Sequence, residues 1–237
     1  MKITIALPCF NEEENIKRIP AEVLPVLEKI GYDFEIIIVD DGSVDNSVAE
    51  VKKIENFRVH LLKHNKNLGM GAALQTAIKN ANSDIFIALD SDFTFHPNLI
   101  PSLLKAFQDN PEIDCVIGSP YLGGYDKKIS SWRIILSKIA SFIYSLLLNQ
   151  KMTAITQIFR LYKTDQLKQL NLASKGFEIN AEILFKLILK GKKIREIPVS
   201  LTKRIYGTSR LNYFKEIKKH LFLVLKIIKW RISGNSK

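Results

Sequence analysis

Cysteine is nearly absent from this chain of 237 residues. Cys9 and Cys115 stand far apart, without His or Cys neighbours at metal-ligand spacing, so neither a disulfide framework nor a zinc site is indicated and a reducing compartment fits best. Long apolar runs are missing too. The most extended uncharged stretches, 139–150 and 221–225, fall well short of the roughly 20 residues that span a bilayer, and the chain is expected not to cross one. From Lys2 the N-terminus runs directly into an apolar segment, with no basic region, apolar region and cleavage site in order, so no export signal is expected. Acidic residues thin out toward the other end: residues 191–237 hold 13 Lys and Arg against only Glu196 and Glu216, which equals the whole formal charge of +11. Charge confined to one end points to a local anionic partner, such as a phosphate group, an acidic lipid surface or nucleic acid.

With 46% hydrophobic and 25% charged residues the composition is that of a chain able to bury a core. Residues 3–7, 35–39 and 85–89 are short β-branched runs, and helical periodicity fills the intervals, with helices expected over 15–30, 47–55, 71–80 and 97–109. This βαβαβ pattern predicts a mostly parallel sheet flanked by helices, with ligands outside the carboxyl ends of the strands. Further strands are expected at 115–118, 157–162 and 194–201, and helices at 131–148 and 179–190. On a helical wheel the 131–148 segment separates Arg133, Ser137, Lys138, Ser141 and Ser145 from Leu136, Ile139, Ile143, Leu146 and Leu147. The segment 211–232 likewise carries a cluster of lysines beside a stripe of Ile217, Leu221, Val224, Leu225 and Ile228. Such a basic, amphipathic helix suits an anionic membrane surface, or else docks on its own domain.

Four polar clusters sit where the strands should end or helices begin. Asp90-Ser91-Asp92 places two carboxylates two residues apart; hard divalent cations take oxygen ligands and bridge such carboxylates to a diphosphate. Asp40-Asp41-Gly42-Ser43 ends the second strand, where Asp41 can accept hydrogen bonds from a base or ribose. Pro8-Cys9-Phe10-Asn11-Glu12 ends the first, with Asn11 as a cap for the following helix. Asn67-Leu68-Gly69-Met70-Gly71 opens another helix with two glycines. Each alone is also ordinary turn chemistry; their order and common edge carry the signal.

These motifs resemble those of glycosyltransferase family 2, and within it the dolichol-phosphate and polyprenyl-phosphate mannosyltransferases. The later segments Gly118-Ser119-Pro120-Tyr121, Trp132-Arg133 with Ser137, and Pro198-Val199-Ser200-Leu201 followed by Arg204, Gly207, Ser209 and Arg210 extend the resemblance over nearly the whole chain. Pro120 stands where the family has an arginine, Arg210 where it has a lysine, and Thr94 where it has a third metal ligand. The resemblance implies a GT-A nucleotide-diphospho-sugar transferase fold in residues 1–210, with 211–237 as a basic amphipathic helix at a membrane surface. It implies Mg²⁺ or Mn²⁺ on Asp90 and Asp92, and a nucleoside diphosphate sugar, GDP-mannose first and a UDP-sugar as the alternative, against Pro8, Phe10, Asn11, Glu12, Asp41, Asp90 and Ser91. A polyprenyl phosphate acceptor would meet Arg133, Ser137, Arg204 and Arg210, which together with Asp92 make up the implied catalytic set. An inverting transfer of a hexose on the cytoplasmic face of a membrane is the expected activity. The alternative is a family 2 transferase acting on a sugar hydroxyl in polysaccharide or glycolipid assembly, for which Glu178 or Glu182 would be the base. A nucleic-acid partner leaves the acidic edge unexplained and is not expected.

Overall fold

A computed structural model describes residues 1–207 and 213–233, without the side chains of Arg133, Tyr213 and 231–233. Seven strands form one sheet: β1 (Lys2–Cys9), β2 (Asp33–Asp40), β3 (Val59–Lys63), β4 (Ile85–Ala88), β5 (Cys115–Ser119), β6 (Arg160–Lys163) and β7 (Ile194–Pro198), in the spatial order β3-β2-β1-β4-β6-β5-β7. All pairings are parallel except those of β6, which runs antiparallel between β4 and β5.

Both faces of this sheet are covered, which is why its central strands read as continuous apolar runs rather than alternating ones. Successive side chains point to opposite faces. In β2, Ile36 and Ile38 enter one core cluster with Ile3, Ile5, Leu7 and Leu103, while Ile37 and Val39 enter the other with Ala73, Ala77, Phe185 and Ile227.

Three sequence expectations are corrected. The single helix over 15–30 is three short ones, Glu13–Ile16, Ile19–Glu22 and Leu24–Lys29, with Pro20 and Pro25 near the starts of the second and third. Proline lacks the N–H that would continue the ladder from the preceding turn. Strand β3, which pairs residue for residue with β2 from Ile36↔Val59 to Asp40↔Lys63, was not foreseen, because polar His60 and Lys63 interrupt its apolar pattern at the sheet edge. Strand β6 starts at Arg160 rather than at 157. The helices Met70–Asn80, Ile100–Gln108, Ser131–Leu148 and Ile179–Leu189 fall where periodicity put them, within a few residues.

The amphipathic wheel of Ser131–Leu148 is turned against expectation for a soluble helix. Its serines face the protein: Ser141 is buried, and the Ser137 hydroxyl shares a hydrogen bond with that of Thr156 at 3.0 Å. Its apolar stripe, including Ile135, Ile139, Phe142 and Leu146, is exposed. Tyr213–Ser233 packs beside it, burying Leu223 and Ile227, stacking Trp230 on Phe185 and bonding His220 to the Tyr144 hydroxyl at 2.9 Å. Its own stripe of Leu221, Phe222, Leu225 and Ile228 also remains outside. No helix among the described residues is long and apolar enough to cross a membrane.

Candidate active site

Strand order explains where the polar clusters meet. From β1 the chain winds to β2 and β3 on one side of the sheet, then crosses to β4 on the other, so β1 and β4 flank a switch point at which their exits diverge and leave a crevice. The register Ala6↔Ala88 with Cys9↔Asp40 brings the ends of β1, β2 and β4 to one edge. Asp90 and Asp92 leave β4 there, beside Glu12 from β1. Backbone strain marks the spot, since Asn11 and Phe93 both adopt positive φ, +54° and +53°.

Arg204 reaches this acidic edge from the other end of the chain. The Thr202 amide and hydroxyl donate to the Thr94 carbonyl at 2.9 and 3.0 Å, and Leu201 bridges Tyr125, so the strap after β7 lies across the Asp92 loop. Arg204 then donates through Nε and Nη2 to Asp92 Oδ2 at 3.0 and 2.6 Å, with Nη1 3.3 Å from Glu12 Oε1. Asp92 Oδ1 accepts from the Thr94 amide at 2.9 Å. The electrostatics follow from this crowding. Burial and then the neighbouring Asp92 charge push the Asp90 carboxyl well above the usual range, with Arg204 opposing them. Burial raises Glu12 as well, against the pull of Arg204 and Asn15. For Arg204, burial disfavours the charge, but Asp92 and Glu12 outweigh it and hold the proton more firmly.

An edge with three carboxylates, one of them driven toward its neutral form by burial and by the other two, is short of positive charge, and a guanidinium already stands against two of the three. The residues present fit a hard divalent cation on Asp90 and Asp92. Among the described residues no three His, Cys, Asp or Glu side chains close into a metal-holding group, so ligands from outside the protein would have to complete the coordination.

Several expected site residues support the edge rather than open onto it. Asn11 is not a helix cap: its Oδ1 accepts from the Val44 amide at 2.8 Å and more weakly from Asp45, while its own amide donates to Ser43, tying the β1 exit to the β2 exit. The positive φ turns its side chain across the gap instead of along the helix that starts at Glu13. Asp41 is buried, and its carboxylate accepts from the Leu68 and Gly69 amides at 2.9 and 2.8 Å and meets His64 Nδ1 at 2.7 Å. It holds the glycine turn that opens Met70–Asn80. Ser91 donates to the Pro8 carbonyl at 2.9 Å and pins the two strand exits together. Phe10 and Pro8 are partly buried at the same edge.

Glu178 and Glu182 are buried on the helix Ile179–Leu189 or at its start. Glu182 accepts from the Ala173 and Ser174 amides and pairs with Lys186 at 2.8 Å; Glu178 accepts from the Gly176 amide at 3.2 Å. Arg160, fully buried, donates to the carbonyls of Asn180, Ala154 and Ile155 and so fixes the segment that touches Ser137. Arg133 lies in the first turn of Ser131–Leu148, its side chain outside the described residues, as is Arg210 altogether. One residue was expected in a different role and one escaped sequence reasoning. Thr94 carries the strap through its main-chain oxygen, which no side-chain pattern reveals, and Arg18 stands under the acidic loop from the turn before Ile19–Glu22, where its only visible signal is the (i, i+4) spacing to Glu22.

A mostly parallel α/β sheet with paired carboxylates at its switch point defines a GT-A-like transferase. The chain belongs to the family described as glycosyl transferase family 2, whose model matches residues 4–170. It is 29% identical over 97% of its length to a dolichol-phosphate mannosyltransferase of Pyrococcus furiosus, of which it spans 64%. It is 28% identical, again over 97% of its length, to 87% of a polyprenol monophosphomannose synthase of Mycolicibacterium smegmatis. Among solved structures, glucosyl-3-phosphoglycerate synthase from Mycobacterium tuberculosis, in complex with Mn²⁺, uridine diphosphate and phosphoglyceric acid, shares the fold with a TM-score of 0.72 at 18% identity. The match covers 96% of this chain and 77% of that one.

Proposed function

We propose that this glycosyltransferase moves a hexose, mannose rather than glucose, from a nucleoside diphosphate sugar to a polyprenyl phosphate, with inversion at the anomeric carbon. The observation that carries the reading is the reach of Arg204 onto Asp92 and Glu12, 112 residues from the former. The segment resembling an acceptor-phosphate motif is thereby within hydrogen-bond distance of the segment resembling a donor-diphosphate motif. A cation on Asp90 and Asp92 would neutralise charge developing on the leaving diphosphate.

In this reading Pro8, Phe10 and Glu12 flank the base and ribose, and Asp41 and Asn11 keep the walls of that crevice in place. Arg133, Ser137, Arg204 and Arg210 hold the acceptor phosphate and turn one oxygen toward the anomeric carbon. That oxygen is already an anion near neutral pH and needs no general base. The hydroxyl-acceptor alternative does need one, and the engagement of Glu182 with two amides and Lys186 speaks against that residue. The names of the Pyrococcus and Mycolicibacterium relatives favour mannose and a lipid phosphate.

The outward apolar stripes of Ser131–Leu148 and Tyr213–Ser233, beside Lys215, Lys218 and Lys229, support peripheral attachment to the anionic cytoplasmic face of a membrane.

The test is incubation of the protein with Mn²⁺ or Mg²⁺, a short-chain polyprenyl phosphate and a panel of GDP- and UDP-sugars, with mass spectrometry of the lipid. A new glycosyl phospholipid that Asp92→Ala abolishes and Arg204→Ala lowers at least 100-fold is the expected result. Donor hydrolysis with no lipid product from any donor overturns the acceptor assignment.

A further inference from the structure

Arg18 belongs to none of the motifs above, yet its side chain, only 10% exposed, is built into the site from beneath. Its guanidinium is held on two sides: Nε and Nη2 donate to the two oxygens of Glu22 at 2.8 and 2.9 Å, and Nη1 donates to Asn15 Oδ1 at 3.0 Å. Asn15 in turn donates to Glu12 Oε2 at 2.6 Å, the carboxylate whose other oxygen faces Arg204. A bidentate pair and a third bond leave the plane of the fork with little freedom.

Two aromatic rings lie against that guanidinium. Phe93, the residue directly after Asp92 and the one in the left-handed conformation, has its centroid 5.0 Å away; Tyr206, two residues after Arg204, has its centroid 5.9 Å away. Both distances are within the range of cation–π attraction, which strengthens as water is excluded. The contacts close a ring, Asp92–Phe93–Arg18–Tyr206–Arg204–Asp92, in which one largely covered cation touches both the acidic loop and the strap that crosses it.

We infer that Arg18 is a positioning residue that sets Arg204 against Asp92 through Tyr206, and that Arg204 so placed competes with a divalent cation for Asp92 Oδ2. The inference rests on Asp90 and Asp92 as the cation site. It assigns Arg18 no contact with substrate. Loosening the ring has opposite effects on two quantities: the strap lifts, Asp92 is freed for the cation, and Arg204 is less often where transfer needs it. Damage to the fold would instead lower both together.

Tyr206→Leu removes one ring from an exposed position, Tyr206→Phe retains it, and Arg18→Met removes the cation. The first measurement is hydrogen exchange across 200–207 in the protein without metal, where the Thr202 amide reports the strap. Tyr206→Leu and Arg18→Met should exchange there about threefold to tenfold faster, and Tyr206→Phe as the wild type does. The second is Mn²⁺ binding followed by the electron paramagnetic resonance of the free ion, without donor: affinity should rise by about the same factor in the two disruptive variants, while the turnover number for lipid glycosylation falls and the donor KM changes little. Unchanged exchange in both variants, or Mn²⁺ affinity falling together with turnover, overturns the inference. If the wild type glycosylates no polyprenyl phosphate, the acceptor reading fails while exchange and Mn²⁺ affinity still decide the role of Arg18. If it takes up no Mn²⁺, the competition half is overturned and exchange alone decides the positioning half.

Discussion

At the scale of the residue, the same burial that builds the site silences other groups. Both thiols lie in the core, and burial, reinforced by nearby carboxylates, pushes Cys9 and Cys115 up to about 12. At pH 8 the thiolate fraction is then on the order of 10⁻⁴. Iodoacetamide is expected to leave both unmodified in the native protein and to alkylate both in guanidinium, as read by intact mass; rapid native labelling would contradict this burial. Glu182 illustrates the opposite balance. Burial raises its carboxyl, but the Lys186 ammonium and the Ser174 amide outweigh it and hold the group below its ordinary 4.5. A depressed folded-state value means a stabilising contribution that is complete above about pH 4.5 and is lost as the pH falls through the folded value. Glu182→Ala should therefore cost about 2–4 kcal/mol in urea unfolding at pH 7, and distinctly less at pH 3.5. A gap that stays constant with pH would show that lost packing rather than charge carries the cost.

At the scale of the element, the helix Tyr213–Ser233 divides its apolar residues between two environments. Leu223 and Ile227 are in the core, while Phe222 and Leu225 are each 65% exposed. Leu223→Ala and Ile227→Ala are expected to lower stability by about 2–4 kcal/mol each, because a buried side chain leaves a cavity. Phe222→Ser with Leu225→Ser should leave the thermal midpoint within a few degrees of the wild type. Calorimetry of the four substitutions separates the docked edge of the helix from its free one. Close approach is decisive elsewhere too: a Cβ at Gly71 would fall 2.7 Å from the Ser174 and Gly176 carbonyl oxygens, so the turn that Asp41 holds packs backbone to backbone against the 173–177 loop.

At the scale of the whole molecule, the two outward stripes lie on helices packed against each other, with exposed lysines on the second, and the last 47 residues carry the entire net charge. Attraction to an anionic surface weakens once the Debye length drops well below its ~10 Å at 0.1 M salt. Flotation with vesicles containing anionic lipid should retain the protein at 0.1 M salt and lose much of it at 0.5 M. The pair Phe142→Ser and Phe222→Ser should weaken retention at both concentrations. Binding to neutral vesicles as strong as to anionic ones would remove the lysines from the account.

Local chemistry was enough to identify the βαβαβ frame and the paired carboxylates after β4, because strand periodicity and loop motifs are properties of neighbouring residues, and the resemblance of those motifs to known ones pointed to the family. Proline placement in 15–30 was legible in principle, and edge strand β3 was not, since polar residues at a sheet edge break the alternation that marks a strand. Only the tertiary structure decided that Asp41 and Asn11 turn inward to brace the crevice, that Ser137 and Ser141 rather than Leu136 and Leu146 of Ser131–Leu148 face the protein, and that Arg204 lies on Asp92 above Arg18. Each of these depends on partners between about 30 and more than 100 positions away, or on which side of a helix finds a neighbour. No periodicity within one segment encodes either.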